Sequence, residues 1–269
     1  MLRPCKIFCG QVMNLNKKIV AVTGVLSNER LGGDVYCMVV SAPEICREAK
    51  PGQFVHIKTG WADSPLLRRP LSVADVQEER LTVIYRAIGT GTGWLAERQR
   101  GETVDMVGPL GHGFSLSAQK PLLAGGGLGI APLLYLARAF AAQGTVAALL
   151  LADRTAKEIS YWQSMFDRLY QDIYITTDDG SAGVHGNALA VLPKAAENRD
   201  CIYACGPVPM LKAITKFVEQ ANIPCQVSLE SHMACGLGAC QACSCPTAAG
   251  VRRRICLNGP VFAAGEVVL

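Results

Sequence analysis

Nothing in this sequence is suited to crossing a membrane. The apolar, uncharged stretch Pro121 to Ala137 is interrupted by Gly125, Gly126, Gly127 and Gly129, whereas a bilayer span needs about 20 mainly apolar residues. The opening MLRPCKIFCGQVMNLNKK has no uninterrupted apolar core, so no secretory signal is expected. Charge is also sparse. Only 18% of the residues are charged, the net charge is +4 and there is no long basic stripe, which leaves nucleic-acid binding without support. The four histidines, His56, His112, His185 and His232, show no metal-ligand spacing and read as ordinary surface or satisfied residues. No Ser, His and Asp grouping suggests nucleophilic catalysis, and no segment repeats.

What is present is apolar residues and thiols. Half of the 269 residues are apolar, which means a globular chain with room for two or three small domains. Twelve cysteines are too few per residue for a small disulfide scaffold. Some, such as Cys37 in VYCMVV, sit in apolar strand-like runs, as small core residues do. That usage points to a reducing cytoplasm.

From Lys18 to Gly111 the runs KIVAVTGVLS, DVYCMVV, GQFVHIK, LTVIYRA and ETVDMVG are β-branched and aromatic, with Gly, Pro, Asn and Asp between them. Their spacing predicts a small antiparallel barrel, with Leu81, Val83 and Tyr85 on one face and a short helix over Trp94–Arg98. After Ser117 the pattern changes. Strands are expected at Lys120–Ala124, Thr145–Ala152, Ile173–Thr176 and Cys201–Cys205. Helices are expected at Ile130–Ala142, Ser160–Leu169, Asn187–Leu192 and Val208–Gln220. Such alternation means a parallel sheet, and Pro132 falls in a first helical turn, where its missing N–H costs nothing. The tail from Cys225 has neither period and is too short for a core of its own, so a metal cluster or docking must hold it. The expected division is 1–117 (barrel), 118–224 (α/β) and 225–269 (tail).

The tail holds the most specific motif. Cys235, Cys240 and Cys243 have C-x4-C-x2-C spacing and Cys256 follows, the plant-type ligand pattern of a [2Fe–2S] cluster. Two irons need two thiolates each, and Gly236, Gly238, Ala239 and Ala242 are small enough for the backbone to wrap them. Structural zinc is the competing reading, but zinc sites usually pair a second C-x2–4-C unit or a His pair, and here the distal partner is the single Cys256. Cys245 is a fifth candidate ligand, ranked below Cys243, which completes the C-x2-C unit. Arg252-Arg253-Arg254 read as a solvated turn.

Other motifs suit phosphates. Gly125-Gly126-Gly127-Leu128-Gly129 lies between a strand and a helix, where glycines allow close approach and a helix N-terminus attracts anions. A tight strand-to-helix turn is the competing, less favoured reading. Asp153 ends the next strand, where an acid suits a ribose hydroxyl, while Arg154 suits a further phosphate. Cys205-Gly206-Pro207 ends a later strand at the same sheet edge. Arg69, beside Pro70 in RRPLS, suits bidentate diphosphate binding, and Ser72 suits a flavin ring. Gly89-Thr90-Gly91-Thr92-Gly93 is a second anion-friendly loop, or a flexible hairpin connection.

The order of RPLS barrel, GGGLG sheet, CGP strand end and C-x4-C-x2-C…C resembles the ferredoxin-reductase superfamily. HMACGLGACQAC with ICLNGPVFAAGEVVL resembles, more narrowly, the electron-transfer subunits of the NAD-linked (class 1B) dihydroorotate dehydrogenases. The likeness runs from about Val20 to the end. It implies FAD on Arg69, Pro70, Leu71, Ser72, Ile84, Tyr85, Arg86, Gly91 and Thr92. It implies NAD at Gly125, Gly126, Gly127, Gly129, Cys205, Gly206 and Pro207, and cluster ligands Cys235, Cys240, Cys243 and Cys256. Leu71 departs from the flavin-stacking tyrosine of the wider superfamily; in these subunits an aliphatic residue is usual. The first eighteen or so residues have no counterpart. The implied activity is an electron relay from a separate FMN-containing catalytic subunit through the cluster and FAD to NAD+, in a heterotetramer of two plus two chains. Competing expectations are a reductase serving another partner, a redox sensor without turnover, and a zinc-stabilised binding module. Cys245→Ser should keep its cluster and Cys256→Ser lose it, as judged by iron and acid-labile sulfide content.

Overall fold

Alternation of large apolar residues closes the first half of the chain on itself. In the computed structural model, which describes residues 18–60 and 65–269, six antiparallel strands form a barrel: β1 (Ile19–Gly32), β2 (Val35–Ser41), β3 (Phe54–Ile57), β4 (Arg69–Gln77), β5 (Arg80–Arg86) and β6 (Thr103–Leu110). Their order around the barrel is β1-β2-β5-β4-β3-β6. Residues 1–17, most of the stretch without a counterpart, lie outside the described residues. Leu81, Val83 and Tyr85 do share the inner face, at 0–1% exposure, with Met38, Val40, Val55, Ile57 and Met106 around them. Each such side chain contributes about 2 kcal/mol by leaving water. Helix α1 (Pro43–Glu48) adds Ile45 to this core.

Two barrel features differ from expectation. Arg69-Pro70-Leu71-Ser72, outside the strand runs read from the sequence, is the start of β4, pairing Ile57↔Arg69, His56↔Pro70, Val55↔Leu71 and Phe54↔Ser72. A proline demotes a run read by pattern alone, but near a strand's first residue its missing donor is tolerated. The Gly89–Gly93 stretch is neither an open loop nor a hairpin connection. It starts helix α2 (Thr90–Ala96), one turn earlier than expected, because Thr92 Oγ1 accepts from the N–H groups of Ile88 and Gly89 at 3.1 and 3.3 Å. Asn28 fastens this helix to the barrel. Its Nδ2 donates to the carbonyls of Leu95 and Arg98 at 2.8 and 2.9 Å, and its Oδ1 accepts from the Tyr85 hydroxyl at 2.9 Å.

The second half is the expected parallel sheet: β7 (Pro121–Gly126), β8 (Ala147–Asp153), β9 (Tyr170–Thr177), β10 (Val184–His185) and β11 (Cys201–Cys205). The sheet goes further than expected. Cys225–Ser228 is strand β12, parallel to β11, and a later tail strand pairs antiparallel with β12. The sheet therefore crosses the anticipated 224/225 division. Four residues are too few to show a period, so the sequence did not mark β12.

Helices cover both faces. Leu123, Leu149, Leu151 and Tyr203 pack with α3 (Ala131–Ala142) and α4 (Ala156–Met165). The alternate residues Leu122, Leu150, Ile202 and Val227 pack with α5 (Leu192–Ala195) and α6 (Val208–Ala221), as the two-residue period of strands requires. Helix α4 begins a turn before the expected Ser160, because the Thr155 N–H donates to Glu158 Oε2 at 3.0 Å in a capping box. The expected helix over Asn187–Leu192 is a 3-10 turn, Ala188–Ala190, leading into α5. The tail continues through the hairpin β13 (Ser244–Pro246) and β14 (Arg252–Arg254), helix α7 (Ile255–Asn258) and the edge strand β15 (Val261–Ala263). No described helix is long and apolar enough to cross a membrane.

Barrel and sheet are joined through α3. Arg138 Nε donates to both oxygens of Asp75 on β4 at 2.9 and 3.0 Å, and the Asp75 side chain is only 4% exposed. The Tyr135 hydroxyl donates to the Ala49 carbonyl at 3.0 Å. Arg138→Met should therefore lower stability to urea by about 2 kcal/mol, the range for hydrogen bonds to a charged group, because Asp75 keeps only its bonds from Val76 and Gln77.

Candidate functional site

The docked halves leave two cavities with a common wall. One, of about 240 Å³, lies over β4 and β5 and is lined by Pro70, Leu71, Ser72, Ile84, Tyr85 and Thr92, with Met233 from the tail opposite. The other, of about 660 Å³, lies at the carboxyl edge of the sheet and is lined by Gly126, Gly127, Gly129, Asp153, Gly206 and Pro207. Its volume is in the usual range of cofactor sites. Arg86, Leu128 and Glu230 line both. Most residues expected at FAD and at NAD are thus gathered into two neighbouring spaces, while Arg69 and Gly91 line neither. Gly125 and Cys205 sit just behind the second, buried.

The two arginines of RRPLS have separate tasks. Arg68 is bound to Asp105 on β6 at 2.8 Å. Arg69 points to the start of α2: a Cβ added to Gly91 would lie 3.0 Å from Arg69 Nε and 2.6 Å from Thr59 Oγ1. Thr59 is wholly buried and its hydroxyl has no partner. An orphaned hydroxyl, a guanidinium and a glycine where no side chain fits make a cradle suited to a diphosphate, so these residues fit FAD. Thr59 was not singled out from sequence, since only the fold brings it beside Gly91. Tyr85 forms part of the wall, but its ring lies inside the barrel, stacked on Tyr36 at 5.8 Å. Arg86 is held by Asp34 at 2.9 Å.

At the sheet edge the glycines serve packing as much as approach to a ligand. A Cβ on Gly129 would lie 2.5 Å from the Gly206 backbone, and one on Gly126 2.5 Å from Met210 Sδ. The glycine turn and the Cys205-Gly206-Pro207 strand end can touch only because both are bare. Gly127 has nothing within 4 Å of its would-be Cβ and is the glycine left open to a ligand. Asp153 is held in the cavity wall, accepting from Trp162 Nε1 and the Arg154 N–H, each at 2.9 Å, and burial pushes its carboxyl above the usual range. Arg154 is largely exposed and only loosely paired with Glu158, at 3.9 Å. Glu230, at the junction, carried no signal in the sequence. It is open to cavity solvent but ringed by protein, and that burial raises its pKa.

Among the described residues no three His, Cys, Asp or Glu side chains converge as on a single ion. The four thiols form two pairs instead. Cys235 and Cys240 face one another, as do Cys243 and Cys256, the division a two-iron cluster needs. The loop directs N–H groups at sulfur: Leu237 and Cys240 donate to Cys235 Sγ at 3.3 and 3.4 Å, and Cys256 to Cys243 Sγ at 3.4 Å. Burial opposes ionisation of Cys235, but those backbone donors outweigh it and bring the thiol down to about 6. These residues fit a [2Fe–2S] cluster. Cys245 lies on β13 with its thiol on the Arg253 carbonyl at 3.5 Å. The arginine run is not simply solvated: Arg254 Nη1 donates to the Gly238 carbonyl at 2.7 Å and Arg252 binds Ser244. Of the histidines, His112, His185 and His232 are exposed. His56 is buried against the cysteine loop, and burial, with the Arg68 charge, lowers its pKa to about 4.

Comparison with known proteins agrees with this layout. Residues 230–268 match the family model of the iron-sulfur cluster binding domain of dihydroorotate dehydrogenase B. The chain is 41% identical over 253 residues to the dihydroorotate dehydrogenase B (NAD(+)) electron transfer subunit of Geobacillus thermodenitrificans, covering 91% of this chain and 97% of that one. The Bacillus caldolyticus subunit is 40% identical with the same coverage. Among solved structures, an NADH-dependent reduced ferredoxin-NADP oxidoreductase chain superposes with a TM-score of 0.83 at 30% identity, covering 92% of this chain and 90% of that chain. A ferredoxin NADP+ reductase from Neisseria gonorrhoeae, at 17% identity and a TM-score of 0.62 over 75% of this chain and 91% of that one, shares the fold. With two joined cavities, paired thiols and relatives matched over nearly their full length, the chain belongs to the family of electron transfer subunits of NAD+-linked dihydroorotate dehydrogenase B.

Proposed function

We propose that this chain passes electrons from a dihydroorotate-oxidising, FMN-containing catalytic subunit to NAD+, in a heterotetramer of two such chains and two catalytic chains. The observation that carries this reading is the wall of Arg86, Leu128 and Glu230 shared by the two cavities. A hydride donor and acceptor must meet face to face, and that wall is where the expected flavin space opens into the expected nucleotide space. FAD supplies the needed conversion, exchanging single electrons with a [2Fe–2S] centre and a hydride with nicotinamide.

The chain's own contribution is placement. Arg69, Thr59 and the Gly91 backbone would grip the diphosphate of FAD, while Pro70, Leu71, Ser72, Ile84, Tyr85, Arg86 and Thr92 would shape the space for the rest of the cofactor. The bare Gly127 and the Gly206-Pro207 strand end would receive NAD, with Gly125, Gly126, Gly129 and Cys205 packed behind them. Asp153, fixed by Trp162, would accept from a ribose hydroxyl. Cys235 with Cys240, and Cys243 with Cys256, would each hold one iron. Cys240 and several neighbours in that loop are exposed, so the cluster would sit at the surface, where a partner can reach it.

The test is a visible spectrum with flavin, iron and sulfide quantification, followed by identification of the co-purifying subunit and native mass spectrometry. Flavin bands, an iron–sulfur envelope and an FMN protein that oxidises dihydroorotate are expected, at two copies of each chain. A different stable partner would overturn the assignment of donor and leave the relay intact. Gly91→Ala should weaken FAD retention by about tenfold or more, since its Cβ would push on Thr59 and Arg69, and a lost charged hydrogen bond is worth that much. Flavin released on dilution measures it.

A further inference from the structure

His56 has no part in the relay as described, yet it stands between the flavin strand and the cysteine loop. Its backbone pairs with Pro70 in the β3–β4 ladder, and its carbonyl accepts from Arg68 Nη1 at 3.4 Å. Its ring meets the loop. A Cβ on Gly236 would lie 2.6 Å from Nδ1 and 3.1 Å from Cε1, and Gly236 has φ +67°. At the residue after Cys235 the loop therefore makes a left-handed turn and closes directly onto the imidazole, which only glycine allows. The ring is 1% exposed and its Nε2 has no hydrogen-bond partner, while its other edge meets the Cys235 and Arg68 backbones, so the loop rests directly on a rigid ring. Two residues on, Arg254 Nη1 donates to the Gly238 carbonyl at 2.7 Å. The loop is thus pressed onto the barrel at Gly236 and tied to the tail at Gly238.

We propose that His56 is a positioning residue whose ring acts as the spacer between the flavin strand and Cys235, setting the separation across which one electron leaves the reduced cluster and enters FAD. The inference rests on the assignment of Cys235 to the cluster and of Arg69–Ser72 to FAD. A wild-type chain lacking either cofactor would defeat that assignment, whereas the variants below test the spacing in a chain that binds both.

The experiment uses the intact complex with its catalytic subunit, carrying His56→Ala or His56→Phe. After flavin, iron and sulfide are quantified, a pulse of photoreductant reduces the cluster and the electron's passage to FAD is followed by absorbance. His56→Ala should slow that passage by about tenfold or more and His56→Phe, which keeps the ring's bulk, should stay within about twofold of wild type, given how steeply misplacement of reacting groups is felt. The cluster midpoint potential and the rate of flavin reduction by NADH should match wild type in both. A wild-type rate in His56→Ala, or a slowing matched by a shifted cluster potential, would overturn the proposal. Should His56→Ala lose its cluster, retention in His56→Phe supports the spacer role and loss in both counts against it.

Discussion

Across the joint between barrel and sheet, the Asp75 carboxylate accepts both of its inter-domain bonds from one guanidinium nitrogen of Arg138. The carboxylate is almost completely buried, and a buried charge is tolerated only when it is paired and hydrogen-bonded. The pairing therefore fixes how the barrel sits on α3. Every functional feature depends on that setting. The shared wall exists only because the open side of β4 and β5 faces the end of β7, and Glu230 comes to the junction only because β12 continues the same sheet.

Within this frame the chain solves two separate problems of approach. At the sheet edge, Gly126, Gly129 and Gly206 let the glycine turn and the strand end after Cys205 pack against each other, so the bare backbone around Gly127 can face a nucleotide. At the barrel, Gly91 leaves room between Thr59 and Arg69. In both places the missing Cβ is filled by protein on one side and leaves a polar surface for a phosphate on the other. The cysteine loop follows a third course, in which N–H groups turned toward Cys235 favour its thiolate where burial would oppose it.

The tail shows how a segment with little core of its own is held. Strands β12 and β15 anchor it to the sheet, and Arg254 and His56 hold the loop between them. Val227, Leu229, Ile255, Phe262 and Val267 bury the tail's apolar side chains in the core over one face of the sheet, while the loop is left for ligands that settle around a cluster.

Much of this was already legible along the chain. The barrel strands, the alternating sheet, the Pro132 helix start and the C-x4-C-x2-C spacing are short-range patterns, set by side-chain period and by ligand chemistry, and they stand where the sequence put them. What the sequence could not reveal depends on partners far away in the chain. Arg69-Pro70-Leu71-Ser72 became a strand because β3 offered a register in which Pro70 needs no donor. Arg68 and Arg69 parted because Asp105 lay beside one and Gly91 beside the other. Thr59, Glu230 and His56 gained their surroundings only when the barrel closed and docked. The sequence by itself determined which groups the chain carries and the local backbone able to present them. Tertiary structure decided which of those groups meet, because a long-range contact depends on the geometry of packing and leaves no period in the sequence.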